Sequence, residues 1–326
     1  MNIAAADWLP YALPLRRPWR TRRGEIAERI GRLCRLHSDG GLTGWGDAVP
    51  LPEFGISASA ADAYAEETAH LDLLAQQAGL PLHQWLSGEA QVGSLAINGN
   101  LGSLPDATPA MVQAAADQGY SVIKLKVGVA PVEDEIAHLT QLAAQAPAGI
   151  SWRLDANRAW SFADAQAFIT RCAYLSIEGL EEPLANPDCA SLARLQAAAA
   201  FHVALDESTE LIDAQFFRHP PLRRLVIKPA RHGGLLASVE LALRAQASNI
   251  EVIVTSSLES ACGLAACAQL AAAVAPNNVH GLATAEWFLA DTGEVPRIAG
   301  GRMALPTAAG LGFRPHGAYA EFPPKK

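Results

Sequence analysis

The chain has 326 residues, half of them hydrophobic, and a formal net charge of −8, enough for one (β/α) barrel of roughly 200 to 250 residues plus a smaller domain. That charge gives no general attraction to nucleic acid, and the one basic cluster, Arg16, Arg17, Arg20, Arg22 and Arg23, is short, local and equally suited to an acidic metabolite. Five cysteines, Cys34, Cys172, Cys189, Cys262 and Cys267, are odd in number and lack CxxC spacing, which argues against a disulfide framework and a structural zinc site.

The opening run, MNIAAADWLPYALPLRR, lacks the basic segment that precedes a signal-peptide core, and no uninterrupted apolar stretch of about 20 residues marks a membrane span. A cytoplasmic protein with no membrane association is expected. IGRLCRLHSDGGLTGWGDAVP reads as a β-hairpin, with Asp39 and Gly40 supplying the turn. ASAADAYAEETAHLDLLAQQAG reads as a helix stopped by Gly79 and Pro81. Together they predict an α+β capping domain over 1–93. From about residue 94, short apolar runs alternate with alanine-rich amphipathic segments, the pattern of successive βα units. Runs ending near Asn98, Lys126, Asp155, Glu181, Asp206, Lys228, Ser256 and Gly281 give eight strands, the number that closes a barrel. The predicted fold is therefore α/β, a (β/α)7β-type TIM-like barrel over 94–296, with the Gly- and Pro-rich segment 297–326 packing back on the cap.

Charge recurs at the ends of these runs. Lys124 and Lys126 stand in SVIKLKVG, Asp155 in WRLDAN, an acid of EGLEEP, Asp206 in VALDES and Lys228 in LVIKPA; from Lys126 to Asp155, Glu181, Asp206 and Lys228 the steps are 29, 26, 25 and 22 residues. Each step is what a strand, a helix and two loops consume before the next parallel strand, so the charges are expected at one end of one barrel. Lys124 and Lys126, two apart, share a strand face. Alone, each lysine reads as a side chain snorkelling from a strand end, and each acid as a cap or surface residue. In register they read as a site: buried ions lose several kcal/mol (order of magnitude) of hydration unless partners restore it. Three converging carboxylates without Cys or His suit a hard, oxygen-liganded cation, Mg²⁺ rather than Zn²⁺. In EGLEEP the ligand could be Glu178, Glu181 or Glu182.

KLKVG, LDAN, EEP, LDES and IKPA, in this order and spacing, resemble the enolase superfamily, in its muconate-lactonizing branch with lysines on two facing strands. The resemblance covers nearly the whole chain, cap included. It implies Asp155, Glu181 and Asp206 as Mg²⁺ ligands (Mn²⁺ can substitute), Lys126 as general acid/base, and Lys228 as the opposing lysine. It implies a substrate pocket lined by Lys124, Arg153, Asn157, Ser256 and Gly281, and a flap formed by the loop around Arg17 to Gly24. Within the branch, WRLDAN, VIKPARHGG, TSSLESACGLAACAQLAAA and HGLAT are most similar to the dehydratases, carbon–oxygen lyases acting on a small carboxylate. ATAEWF after Gly281 lacks the DxD-type motif of dipeptide epimerases. A reading of another class, a non-catalytic barrel that binds a metal or metabolite, has no need of amines on both faces of a ligand. Neither monomer nor homo-oligomer is indicated. His232, His280, Ser257 and Ser260 form no HxxxH, HxH or GxSxG motif, and GLTGWG and ARHGG are read as sites of turns and close backbone approach.

Overall fold

The computed structural model describes residues 1–21 and 24–320. It opens with three antiparallel strands in the order β1 (Ile3–Thr21), β2 (Gly24–Ser38), β3 (Thr43–Ala48). The expected hairpin is β2–β3, paired from His37–Thr43 to Arg32–Ala48. The strand before it, β1, was not expected, because Pro10, Pro14 and Pro18 interrupt its sequence. It forms because β1 is an edge strand, where a missing N–H costs no ladder bond. Leu9, Tyr11, Leu13 and Leu15 face the core while Pro10, Ala12, Pro14 and Arg16 face outward, the period-two pattern of a half-buried strand.

Helix α1 (Ala58–Ala78) starts at Ser57, whose side chain accepts from the Ala60 N–H, and ends at Gly79 with φ +70°. Its backbone lies directly on β3: a Cβ at Gly46 would stand 1.9 Å from the Ala65 carbonyl oxygen, and one at Gly44 2.1 Å from that of Ala69. Gly44 and Gly46 of GLTGWG are therefore packing residues, whereas Gly41, at φ +81° with open space around it, serves the turn. Helix α2 (Leu82–Ser87) follows.

Next comes the βα alternation: β4 (Ser94–Ile97), β5 (Gly99–Ser103), α3 (Pro109–Asp117), β6 (Val122–Lys126), α4 (Val132–Ala144), β7 (Ser151–Asp155), α5 (Phe162–Arg171), β8 (Ile177–Glu181) and α6 (Cys189–Ala198). It continues through β9 (His202–Leu205), α7 (Ala214–Arg218), β10 (Arg224–Ile227), α8 (Leu235–Ala247), β11 (Glu251–Val254), α9 (Ala261–Val274) and β12 (Val279–His280). Strands β5 to β11 make one seven-stranded sheet in chain order, parallel throughout. Strand β12 instead pairs with β4 in a four-stranded sheet that also holds β13 (Ile298–Ala299) and β14 (Arg302–Ala304).

The expected eight-stranded ladder is thus interrupted. Between β11 and β12 the structure has one bridge, Thr255 to Gly281, because side chains take the groups a ladder would use. The Val254 N–H goes to His280 Nδ1 at 3.0 Å, and the Val279 carbonyl accepts from Arg153 at 3.0 Å. The carboxy-terminal segment divides its contacts. Arg302–Ala304 pairs with β4, whereas Leu311 N–H donates to Asp72 of α1 at 2.7 Å and Phe313 packs edge-on to Trp45. Helix α9, built of small apolar residues, is buried on almost every side, against β3 and α2 as well as α8 and β11.

Candidate active site

Register assembles the charges. Lys126 pairs with Asp155 and Asp155 with Glu181 across β6, β7 and β8; Asp206 follows the end of β9 and Lys228 the end of β10. The Lys124 ammonium lies 2.9 Å from Asp155 Oδ2 and is bonded to Glu181 Oε2. Lys228 pairs with Asp206 Oδ2, and Arg231 Nη1 donates to Asp206 Oδ1 at 2.9 Å. Asp155, Glu181 and Asp206 are almost wholly buried.

Burial and neighbouring charge pull these groups apart. Burial alone would lower the Lys124 pKa, but Asp155, Glu181 and Asp206 outweigh it and raise it above the ordinary lysine value. Burial removes water from the Lys126 ammonium, and the charges of Lys124 and Lys228 add to that against Asp155 and Glu207, so its pKa is lowered. Burial would raise Asp206, yet Lys228, Arg231 and Lys124 hold it well below the carboxylate range. Glu181 is raised by burial, with Asp155 and Asp206 adding to it in spite of Lys124.

Lys126 makes no ion pair among the described residues. Its Nζ lies 5.3 Å from the centre of the Trp19 ring, and Trp19 stacks on Phe54 with ring centres 5.3 Å apart. A bridge from Leu15 to Phe288 and a bond from Arg16 Nε to the Glu286 carbonyl tie this arm of β1 to the loop after β12. Of the expected flap, Arg22 and Arg23 lie outside the described residues.

The acids of EGLEEP separate by task. Glu178 lies between Arg153 and Arg224, and its pKa falls to about 2 because both guanidinium groups outweigh its burial. Glu182, at φ +44°, accepts from the N–H groups of Asp206 and Ser208 and from Ser208 Oγ, pinning the loop after β9. Glu181 alone points a free oxygen, Oε1, that is buried without a partner among the described residues. An unpartnered buried carboxylate oxygen beside two other carboxylates fits a hard cation. Among the described residues no ready-made group of three ligands stands at metal-holding spacing; Lys124, Lys228 and Arg231 pair with the carboxylate oxygens. The donor chemistry fits Mg²⁺ once ammonium contacts yield to it.

The expected pocket residues do not all meet at this cluster. Asn157 does: its N–H donates to Asp155 Oδ1 at 3.1 Å and its Nδ2 to Glu207 Oε1 at 2.7 Å. Ser256 Oγ lies 2.7 Å from Thr284 Oγ1 at the same end of the sheet, next to Gly281, where a Cβ would come 2.7 Å from Thr255 Cγ2. Arg153 is a correction. Wholly buried one layer deeper, it spends its guanidinium on Glu178, Asn98 and the Val279 carbonyl. Four of its five N–H donors are spent there, and the side chain is closed off from the surface. Glu207 was missed: the second acid of LDES, it is pushed up to about 8 by burial, then by Asp206 and Asp155. Adjacent acids just past a strand end were its signal.

The family model described as Enolase C-terminal domain-like matches residues 107–319. The chain belongs to the enolase superfamily. Among its enolase-superfamily relatives is a protein named o-succinylbenzoate synthase in Yersinia pseudotuberculosis serotype I, 30% identical over 299 residues, covering 84% of this chain and 88% of the relative. The L-Ala-D/L-Glu epimerase from Bacillus subtilis superposes with a TM-score of 0.85 at 23% identity, covering 96% of this chain and 99% of that one. The dipeptide epimerase from Cytophaga hutchinsonii, solved with Mg and D-Ala-L-Val, superposes with a TM-score of 0.86 at 21% identity, covering 98% and 97%. Among the described residues no helix is long and apolar enough to cross a membrane.

Proposed function

We propose that this chain is an o-succinylbenzoate synthase, a cytoplasmic, Mg²⁺-dependent carbon–oxygen lyase of menaquinone biosynthesis working on a (β/α)7β barrel under the cap of residues 1–93. It would dehydrate 2-succinyl-6-hydroxy-2,4-cyclohexadiene-1-carboxylate to 2-succinylbenzoate. What carries this reading is the run of relatives bearing that name at about 30% identity over most of the chain, joined to lysines on β6 and after β10, four strands apart.

Asp155, Glu181 and Asp206 would hold the Mg²⁺. Once bound, it supplies electrostatic stabilisation for negative charge developing on the substrate carboxylate. A lysine base paired with Mg²⁺ is the established pattern of enolase-superfamily sites. The chain's own residues do the rest. Lys126, with its lowered pKa, takes the ring proton at C1, next to the carboxylate, onto Nζ. The C1–H electron pair moves onto the substrate carboxylate to give an enediolate and returns as the C1–C6 double bond when the C6–O bond breaks, and the proton on Lys126 Nζ goes to the departing hydroxyl, which leaves as water. Lys228 faces the other side of the ring, stabilises the developing charge and makes a cation–π contact with the aromatic product. Trp19 and Phe54 exclude water above Lys126.

A second reading keeps the same residues and ends differently: N-acylamino acid racemase, dipeptide epimerase or muconate cycloisomerase. Lysines on β6 and after β10, four strands apart at one end of the same sheet, favour it, because they suit proton transfer on both faces of one carbon. Loss of the cyclohexadiene absorbance, measured with Mg²⁺, with EDTA and with Lys126→Ala, tests the first reading. Metal-dependent conversion abolished in the variant supports it. No conversion by folded, Mg²⁺-supplied protein overturns it, and α-proton exchange in D₂O then sorts the second group.

A further inference from the structure

Helix α9 starts at Ser260, whose φ of −65° and ψ of 175° are those of an N-cap residue, yet the Ser260 side chain caps nothing in its own helix. Its Oγ and its N–H both donate to Asp47 Oδ2, each at 2.9 Å. Asp47 belongs to β3, 213 residues earlier in the chain. The next N–H, that of Ala261, goes to Asp291 Oδ1 at 2.7 Å. A helix leaves its first N–H groups without intrahelical partners, and a carboxylate there also meets the favourable end of the helix dipole. Here the carboxylate comes from the amino-terminal sheet.

The remaining contacts build this arrangement in. Tyr11 of β1 donates to Asp47 Oδ1 at 2.6 Å and fixes the carboxylate's rotation. Arg29 of β2, buried, donates to the Leu258 carbonyl at 3.2 Å and to those of Pro50 and Val49. Leu258 has φ +61°, a conformation a leucine holds only where its surroundings over-determine it. Gly263 leaves the space: a Cβ there would come 2.7 Å from Asp47 Oδ2 and 2.5 Å from Glu259 Cβ. Strands β2 and β3 thus bond to residues 258–260, and β1 steadies the Asp47 carboxylate that does so. That turn directly follows Ser256, which accepts the Leu258 N–H at 3.1 Å and stands at the charged end of the barrel.

We propose that Asp47 is a positioning residue: it caps barrel helix α9 from the amino-terminal sheet and so sets the 255–260 segment that walls the candidate site. Cap docking therefore shapes the pocket from below as well as covering it. The substrate-facing consequence rests on the reaction proposed above; the structural one does not.

The test is hydrogen exchange of the full-length protein, read by mass spectrometry over peptides spanning 255–264. Asp47→Ala should speed exchange there about tenfold, the scale of losing one good helix cap, while peptides of β6 to β8 stay protected. Asp47→Asn, which keeps an acceptor oxygen for Ser260, should restore most of the protection. Tyr11→Phe leaves Asp47 and both of its bonds to Ser260 in place and should speed exchange over 255–264 far less than Asp47→Ala does. Should Asp47→Ala not fold, Ser260→Ala, which removes one of the two donors, gives the same pattern at smaller amplitude. In turnover, KM should rise about tenfold with kcat little changed, as expected when binding geometry but no reacting group is lost. Wild-type protection of 255–264 in Asp47→Ala, or equal acceleration everywhere in both Asp47→Ala and Tyr11→Phe, would overturn the proposal. An inactive wild-type protein would count against the reaction alone, since the exchange comparison needs no substrate.

Discussion

Lys126 of β6 and Trp19 of β1 meet where the amino-terminal antiparallel sheet reaches the parallel one, the ammonium 5.3 Å from the indole centre. Lys126 lies by that aromatic face and makes no ion pair among the described residues, whereas Lys124, two residues earlier on the same strand face, is bound to two carboxylates. Equal residue types therefore have opposite fates. Lys124 is held charged, and the Lys126 ammonium is the easier of the two to deprotonate.

That difference predicts different outcomes for one substitution. Lys126→Arg keeps the positive charge but can never be a neutral base, so turnover should fall by ~10³-fold or more, within the range general-base catalysis supplies. Lys124→Arg keeps a cation against Asp155 and Glu181 and should retain far more activity. Turnover of both variants with Mg²⁺ checks this; similar losses would mean that Lys126 is no special base.

Metal should stabilise the fold through Glu181. A ligand that binds only the native state at a hundredfold excess over its Kd adds about 2.7 kcal/mol, so Mg²⁺ should raise the melting temperature of the wild-type protein and EDTA should reverse it. Glu181→Gln keeps the shape and removes the charge. Its melting temperature should respond weakly to Mg²⁺, and an undiminished response would remove Glu181 from the ligand set.

The period of charged strand ends made much of this site legible before any coordinates. Parallel strands bring equivalent positions side by side, so spacing alone places Asp155 beside an acid of EGLEEP, and the family resemblance singles out Glu181. Arg153 was misassigned for the same reason. Two residues before Asp155 it shares the interior face, but spacing along a strand does not tell depth, and Arg153 lies a layer too deep. Strand β1 was invisible because its prolines contradict strand propensity wherever edge position is unknown. The Asp47–Ser260 contact spans 213 residues, and neither residue carries a local signal of its partner.

Arg153 should behave as a structural residue. Its buried guanidinium joins Glu178, Asn98 and the Val279 carbonyl, tying β7 to β8 and to the four-stranded sheet. Arg153→Met leaves Glu178 half-paired with Arg224 and two acceptors unfilled, and breaking a buried pair by removing one partner costs about 3–5 kcal/mol. Urea unfolding should show that loss. Unchanged stability with a raised KM would return Arg153 to the substrate pocket.

His280 should set an acid limit on the fold. Wholly buried, it accepts the Val254 N–H at Nδ1 and lies 2.9 Å from the Ala275 carbonyl through Nε2, a pairing that needs the neutral ring with its proton on Nε2. Burial first, then the nearby Arg153, lowers its pKa to about 4, with Glu251 and its own hydrogen bonds opposing. A histidine whose folded pKa lies below its unfolded value, about 6.5, contributes stability that is present above pH 6.5 and lost as pH falls through about 4, on the order of 3 kcal/mol in all. Because the ring joins β11 to β12 where the ladder is a single bridge, the loss should be felt at that seam. His280→Gln cannot take up a ring proton, so the stability difference between wild type and variant should shrink steadily from pH 7 to pH 4.5, read by urea unfolding at each pH. Other titrating groups cancel in that difference, and a gap that stays constant with pH would mean that His280 does not govern the acid limb.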